Sequence, residues 1–221
     1  HNQIGDLLMS IVKLSNNGVK NATAFGSISS LGSMTFIKKI TISSPVSSVQ
    51  FVHGSNGVVL DDTYKEYYFT FNNLHPNSNT EPDIAMNFST DGGSNYNVTK
   101  TTTSFYARHA ENNDFASISY LTSLDLAQGT SKQFLAPALN TGNDSSLSGY
   151  MSLFNPSSTT FVKHFMINTS IMQNYPAAWQ TFTGGYANTT SAINAVSFIG
   201  GYNLSTDDNI DAGDICLYGI A

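Results

Sequence analysis

The chain has 221 residues and a net charge of −6, from nine Lys and Arg against fifteen Asp and Glu. Lys38-Lys39 is the only basic cluster and Arg108 the sole arginine, which argues against the basic surface that nucleic-acid phosphates require. No run reaches the apolar length of a membrane span, no signal-peptide pattern is present, and the lone Cys216 cannot close an internal disulfide.

The first element in chain order is "IGDLLMSIVKL". Ile4, Leu7, Leu8, Ile11 and Val12 fall on one stripe of an amphipathic helix, and "SNNG" at 15–18 stops it with turn residues. So short a helix is not stable alone in water. The stripe therefore needs cover, from the body of this protein, from sister subunits or from a larger assembly. Residues 19–33, "VKNATAFGSISSLGS", read as an extended connector.

From Met34 onward the pattern changes to period two, with β-branched and aromatic residues. Strands are expected at "FIKKITIS", "SVQFVHG", "EYYFTFNN", "DIAMNFST", "SFYARHAE", "SGYMSLFNP", "TFVKHFMINTS", "TFTGGYAN", "NAVSFIGG" and "ICLYGIA". Asn, Gly, Ser and Pro clusters separate them, the spacing of an antiparallel β-sandwich or barrel. Asp91-Gly92-Gly93 reads as a hairpin turn, because glycine accepts positive φ. Asn155-Pro156 reads as a second turn. The chain thus divides into an anchor segment, 1–33, and one β domain, 34–221.

Candidate sites are few. In "TDDNIDAGD", Asp207, Asp208 and Asp211 could ligate calcium. Counted as an EF-hand loop, however, the segment has Ala212 where glycine is needed and Tyr218 where a bidentate Glu is needed. An acidic turn before the last strand, bent at Gly213, is the preferred reading, so no metal and no cofactor are expected. His53, His75, His109 and His164 lack zinc spacing, and no G-x-S-x-G elbow exists. No catalytic residue is therefore assigned. Cys216 lies in an apolar strand and reads as a small buried hydrophobe.

Charged residues make up only 11% of the chain, against roughly a quarter in ordinary globular proteins. Asn, Ser, Thr and Gly replace them. Such a surface suits contact with further copies of the chain or with neutral polar partners such as glycans. Aromatic rings beside amides can stack on sugars, and Tyr175, Trp179 and Tyr186 around "NYPAAWQTFTGGYANTT" are the candidate glycan contacts. A core position for Trp179 is the competing reading. Asn21, Asn87, Asn97, Asn143, Asn168, Asn188 and Asn203 each open an N-x-S/T triplet.

In order, "FIKKITISSPVSSVQF", "YKEYYFTFNNLHP", "MNFSTDGGSNY", "GYMSLFNPSSTTFVKHF", "FTGGYANTTSAINAVSFIGG" and "NIDAGDICLYGIA" resemble a β domain of tailed bacteriophages. It is found, especially in phages of marine hosts, in tail-fibre and other virion structural proteins. The "STDGGS-Y" segment, the "NPSSTT" turn and the closing "LYGI" strand are the most specific pieces. "LSNNGVKNATAF" also resembles the connector that precedes such domains. The resemblance implies a jelly-roll-like β-sandwich, trimeric, non-catalytic and displayed on the virion surface. It supplies no binding residues.

The expected function is that of a virion structural protein of tail-fibre or receptor-binding type. Residues 1–33 would join it to other virion proteins, and a host surface glycan would be its outward partner. No nucleic acid and no membrane insertion are expected. A capsid decoration protein and a secreted glycan-binding module are the alternatives.

Overall fold

The structure, a computed structural model, describes residues 33–77, 82–201 and 209–221. The stripe Ile4, Leu7, Leu8, Ile11 and Val12 lies outside the described residues, as do Asp207 and Asp208. Among the described residues there is no helix. Alternating apolar and polar residues with many β-branched and aromatic side chains dictate strands instead.

Twelve strands form, all paired antiparallel: β1 (Met34–Ile42), β2 (Ser48–Val52), β3 (Glu66–Asn77), β4 (Asp83–Ser89), β5 (Lys100–Ala110), β6 (Ala116–Tyr120), β7 (Gln133–Ala136), β8 (Leu147–Phe154), β9 (Lys163–Met172), β10 (Ala177–Ala187), β11 (Ala195–Gly201) and β12 (Asn209–Ile220). Eight of them make one sheet in the order β1-β12-β3-β8-β9-β10-β5-β6, and four make another, β2-β11-β4-β7. All the strands read from sequence are present. The two additions are β6, whose "ASISY" is exposed along nearly its whole length, and β7, which is only four residues long.

The two sheets share one core. Phe198 of β11 sets its ring edge-on to Phe51 of β2 and to Phe69 and Phe71 of β3, at centroid distances of 6.1, 5.4 and 5.2 Å. Phe88 of β4 meets Phe165 of β9 at 5.2 Å. Edge-to-face packing is the geometry that ring quadrupoles favour. Burying each ring contributes about 1.5–3 kcal/mol, and all six rings are buried.

Two sequence expectations are corrected. Asp91-Gly92-Gly93 does make a turn, with φ of 73° and 85° at the glycines, but no hairpin. β4 pairs with β11 and β7, whereas β5 pairs with β10 and β6. The turn carries the chain from one sheet to the other. Asn155-Pro156, by contrast, joins β8 and β9, which do pair.

The second correction concerns the acidic stretch. Asp211, Gly213 and Asp214 lie inside β12, not in a turn before it. The register of β12 against β3 slips between Ile210 and Ala212 and again between Ala212 and Asp214. Such bulges take up the polar residues without ending the strand. Gly213 adopts φ 114°, and a Cβ there would stand 2.5 Å from the Asn73 carbonyl oxygen, so only glycine fits this crossing.

Candidate recognition face

In β9 the even-numbered and odd-numbered residues part cleanly. Phe165, Ile167, Thr169 and Ile171 are buried, and His164, Met166 and Ser170 are exposed. β10 repeats the pattern, burying Trp179, Thr181 and Thr183 while turning Ala178 and Gln180 outward. Period-two alternation therefore gives the eight-stranded sheet one face in the core and one face outward.

Strand register then assembles the outward residues into rows. Phe105 lies opposite Tyr120 on one side and Phe182 on the other. Phe182 lies opposite Asn168, Asn168 opposite Tyr150, and Tyr150 opposite Thr70. The next row runs Gly184, Met166, Ser152, Tyr68, Tyr218 and Phe36. Large apolar side chains are thereby left on the surface: Met34, Phe36, Phe105, Ile118, Tyr150 and Met166 are all at least 38% exposed. Large exposed apolar groups that share one face make it a candidate interaction surface.

Two stacked pairs frame the centre of this face. Phe105 and Phe182 stack at 4.9 Å with 12° between planes, and Tyr68 and Tyr150 at 5.3 Å with 28°. Phe182 and Tyr150 are two strand spacings apart, roughly 10 Å. Asn168 sits between them. Gln180 Nε2 donates to Asn168 Oδ1 at 2.9 Å, and Asn168 Nδ2 donates to the Tyr150 hydroxyl at 3.4 Å. An amide ladder with free valences thus connects two aromatic surfaces.

Small residues hollow out one end of the face. Ser146, Ser148, Ser170, Ala178, His109 and Glu111 line an open depression of about 580 Å³. A second depression of about 270 Å³ shares His109, Ser170 and Ala178 with it and reaches Gln180.

Charged groups on the face are few. Lys39 pairs with Asp214 at 2.9 Å, and Asp214 also accepts from the Thr41 hydroxyl at 2.6 Å. The hydrogen bond from Thr41 first, then Lys39, holds the Asp214 carboxyl below its ordinary value. Glu66 accepts from Ser152 Oγ at 2.6 Å. Burial, reinforced by Tyr150 and Glu66, raises the Tyr68 phenol, so it remains a neutral hydroxyl. Stacking and neutral hydrogen bonding, alongside the Glu66 and Glu111 carboxylates, are what this surface offers.

The residues singled out from sequence are dispersed. Trp179 is only 6% exposed and stacks on Tyr106 at 4.0 Å, with the Arg108 guanidinium 5.6 Å from its ring centroid. Its indole N–H is satisfied by Thr181 Oγ1 at 3.0 Å. Tyr175 is exposed in the turn before β10, and Tyr186 lies near the far end of that strand on the outward face, beside His164. The three do not converge on one site. The sole arginine is used internally, over Phe115 at 4.6 Å and bonded through Nε to Ser117.

Asp211 pairs with His75, whose Nδ1 donates to Asp211 Oδ1 at 2.6 Å. No group of three His, Cys, Asp or Glu side chains gathers as a metal site among the described residues. His53 accepts from the Leu60 N–H, His75 also meets the Gly142 carbonyl, and His109 meets Asn113. None of these histidines bonds a serine hydroxyl. Cys216 is buried.

Sequence reasoning missed Phe105, Tyr150 and Gln180, noted Phe182 only as a ring near Trp179, and read Asn168 only as the start of an N-x-S triplet. Alternation within each strand marks them as facing away from the core, but the register that aligns them is a tertiary property. No known protein family, curated protein or solved structure matches the chain.

Proposed function

We propose that this protein is a non-catalytic recognition module of a bacteriophage virion, and that the outward face of its eight-stranded sheet binds a neutral glycan on the host surface. The observation that carries the glycan reading is the Gln180–Asn168–Tyr150 amide ladder framed by the Phe105–Phe182 and Tyr68–Tyr150 stacks. Aromatic faces stack on the apolar side of sugar rings, and amides and hydroxyls meet their hydroxyl groups. The Glu66 and Glu111 carboxylates, and a Lys39 already paired with Asp214, fit a neutral ligand better than an acidic one. The extended row fits several sugar rings better than one.

Placement on a virion rests on the resemblance in residues 33–221. In this reading the domain is a jelly-roll-type sandwich, trimeric, joined to other virion proteins through residues 1–33. Quantitative mass spectrometry of purified particles tests it. A small copy number relative to the major capsid protein supports a tail location, and a copy number matching the capsid lattice turns the assignment to decoration. Absence from particles overturns it. Binding of neutral oligosaccharides by the purified chain tests the ligand class.

A second reading has its own observation. Ile118 and Met166 are 78% and 58% exposed on the same face, and aliphatic groups serve a protein partner better than a sugar. Here the outward face packs against a second copy. Sedimentation of wild type and Met166→Glu separates the two: a change of oligomeric state with sugar binding retained favours self-association.

A further inference from the structure

Lys100 opens β5 with its side chain fully buried, at 0% exposure. Its Nζ has two acceptors, both neutral: Asn87 Oδ1 at 2.6 Å and the Val98 carbonyl at 2.8 Å. Asn87 belongs to β4 and is itself 2% exposed, so its N-x-S triplet is closed to glycosylation. β4 lies in the four-stranded sheet and β5 in the eight-stranded one. The contact therefore bridges the two sheets.

The amide of Asn87 is held from every side. Oδ1 accepts the Phe88 N–H at 2.9 Å. Nδ2 donates to the Tyr96 carbonyl at 2.6 Å and to the Thr130 carbonyl at 3.2 Å. A backbone N–H on the carbonyl oxygen stabilises negative charge that develops there. Carbonyl acceptors on the amide nitrogen stabilise the hydrogens that it gains on leaving. A primary amine in contact with such a carboxamide, away from water, is arranged for amide exchange.

We propose that Lys100 and Asn87 form an intramolecular isopeptide bond, Lys100 Nζ to Asn87 Cγ, which ties the two sheets covalently. The unprotonated Nζ adds its electron pair to Cγ, and the carbonyl pair moves onto Oδ1 beside the Phe88 N–H. One proton passes from Nζ to Nδ2. The pair on Oδ1 then re-forms the C=O bond, the Cγ–Nδ2 bond breaks, and one ammonia departs. The step is an exchange of one amide for another, and no oxidant or other reactant takes part.

Two considerations favour the forward direction. Burial of an ammonium without a carboxylate partner is costly, and conversion to an amide removes that charge. Ammonia also escapes to solvent, while the new amide stays buried. Burial lowers Lys100 from the ordinary 10.5 to about 8, which leaves roughly a tenth of the amine unprotonated at pH 7. Lys163 supplies an internal contrast. It is also fully buried, but its Nζ donates to the Thr189 carbonyl at 3.0 Å and, unlike that of Lys100, forms no hydrogen bond to a carboxamide. It stays a lysine.

The test is the intact mass of the full chain in denaturant, followed by fragmentation of its proteolytic peptides. The expected result is a mass lower than that of the sequence by one ammonia, with a branched peptide joining Lys100 to Asn87 and Lys163 unmodified. Lys100→Arg is expected to restore the full mass. A wild-type mass equal to that of the sequence overturns the proposal. So does an ammonia loss that persists in Lys100→Arg without a branched peptide, which would signify a succinimide at Asn87. Wild-type fragmentation decides the matter even where the variant does not fold.

Discussion

Trp179 and Tyr186 project from opposite faces of the same strand, β10, one into the core and one outward. Proximity in sequence suggested a shared surface, and odd–even parity forbids it. Trp179→Ala is therefore expected to remove a core ring, together with its stack on Tyr106 and its hydrogen bond to Thr181. Large-to-small substitution of this kind costs about 3–5 kcal/mol. Equilibrium denaturation with urea measures it. A variant as stable as wild type contradicts the packing described above.

Gly213 occupies the bulge where β12 crosses β3. Gly213→Ala is expected to destabilise by more than about 1 kcal/mol, because alanine disfavours positive φ and its Cβ would meet the Asn73 carbonyl. The shift in denaturation midpoint at unchanged slope checks this. Gly184 is the matched control: a Cβ there meets nothing within 4 Å, so Gly184→Ala is expected to leave stability nearly unchanged.

Asp91 gives a pH signature. Its carboxylate accepts from Asn95 Nδ2 at 2.7 Å, from Ser89 Oγ at 2.7 Å and from the Asn95 N–H at 2.9 Å. These bonds, the Asn95 side chain first, hold it at about 2, below the ordinary carboxylate value. A depressed folded-state value stabilises the native state above the unfolded value of about 3.9 and loses that contribution as pH falls toward 2. The stability difference between wild type and Asp91→Asn is thus expected to be constant near neutrality and to shrink between pH 5 and 2. A pH-independent difference contradicts the assignment.

Much of the fold was legible because period-two alternation is a local property. The strand at "KHFMINTSI" and the turn at Asn155-Pro156 follow from residue type alone. What escaped depends on pairing. Asp91-Gly92-Gly93 has the chemistry of a hairpin, yet the flanking strands belong to different sheets. The acidic residues near 211 looked like a turn because no local signal shows that β3 would supply His75, and β1 would supply Lys39 and Thr41, as partners. The recognition face was illegible for the same reason. Phe105, Asn168, Tyr150 and Phe182 come from four strands, and only register makes them neighbours.

The most direct measurement is calorimetric titration of neutral oligosaccharides into the wild-type chain and into Tyr150→Ala and Phe182→Ala, with circular dichroism to verify the fold. Binding by the wild type is expected, together with a loss of about tenfold in each variant, equivalent to about 1.4 kcal/mol. Wild-type chain that binds no neutral oligosaccharide, or folded variants that bind as tightly as wild type, would contradict the assignment of the outward face as a glycan-recognition surface.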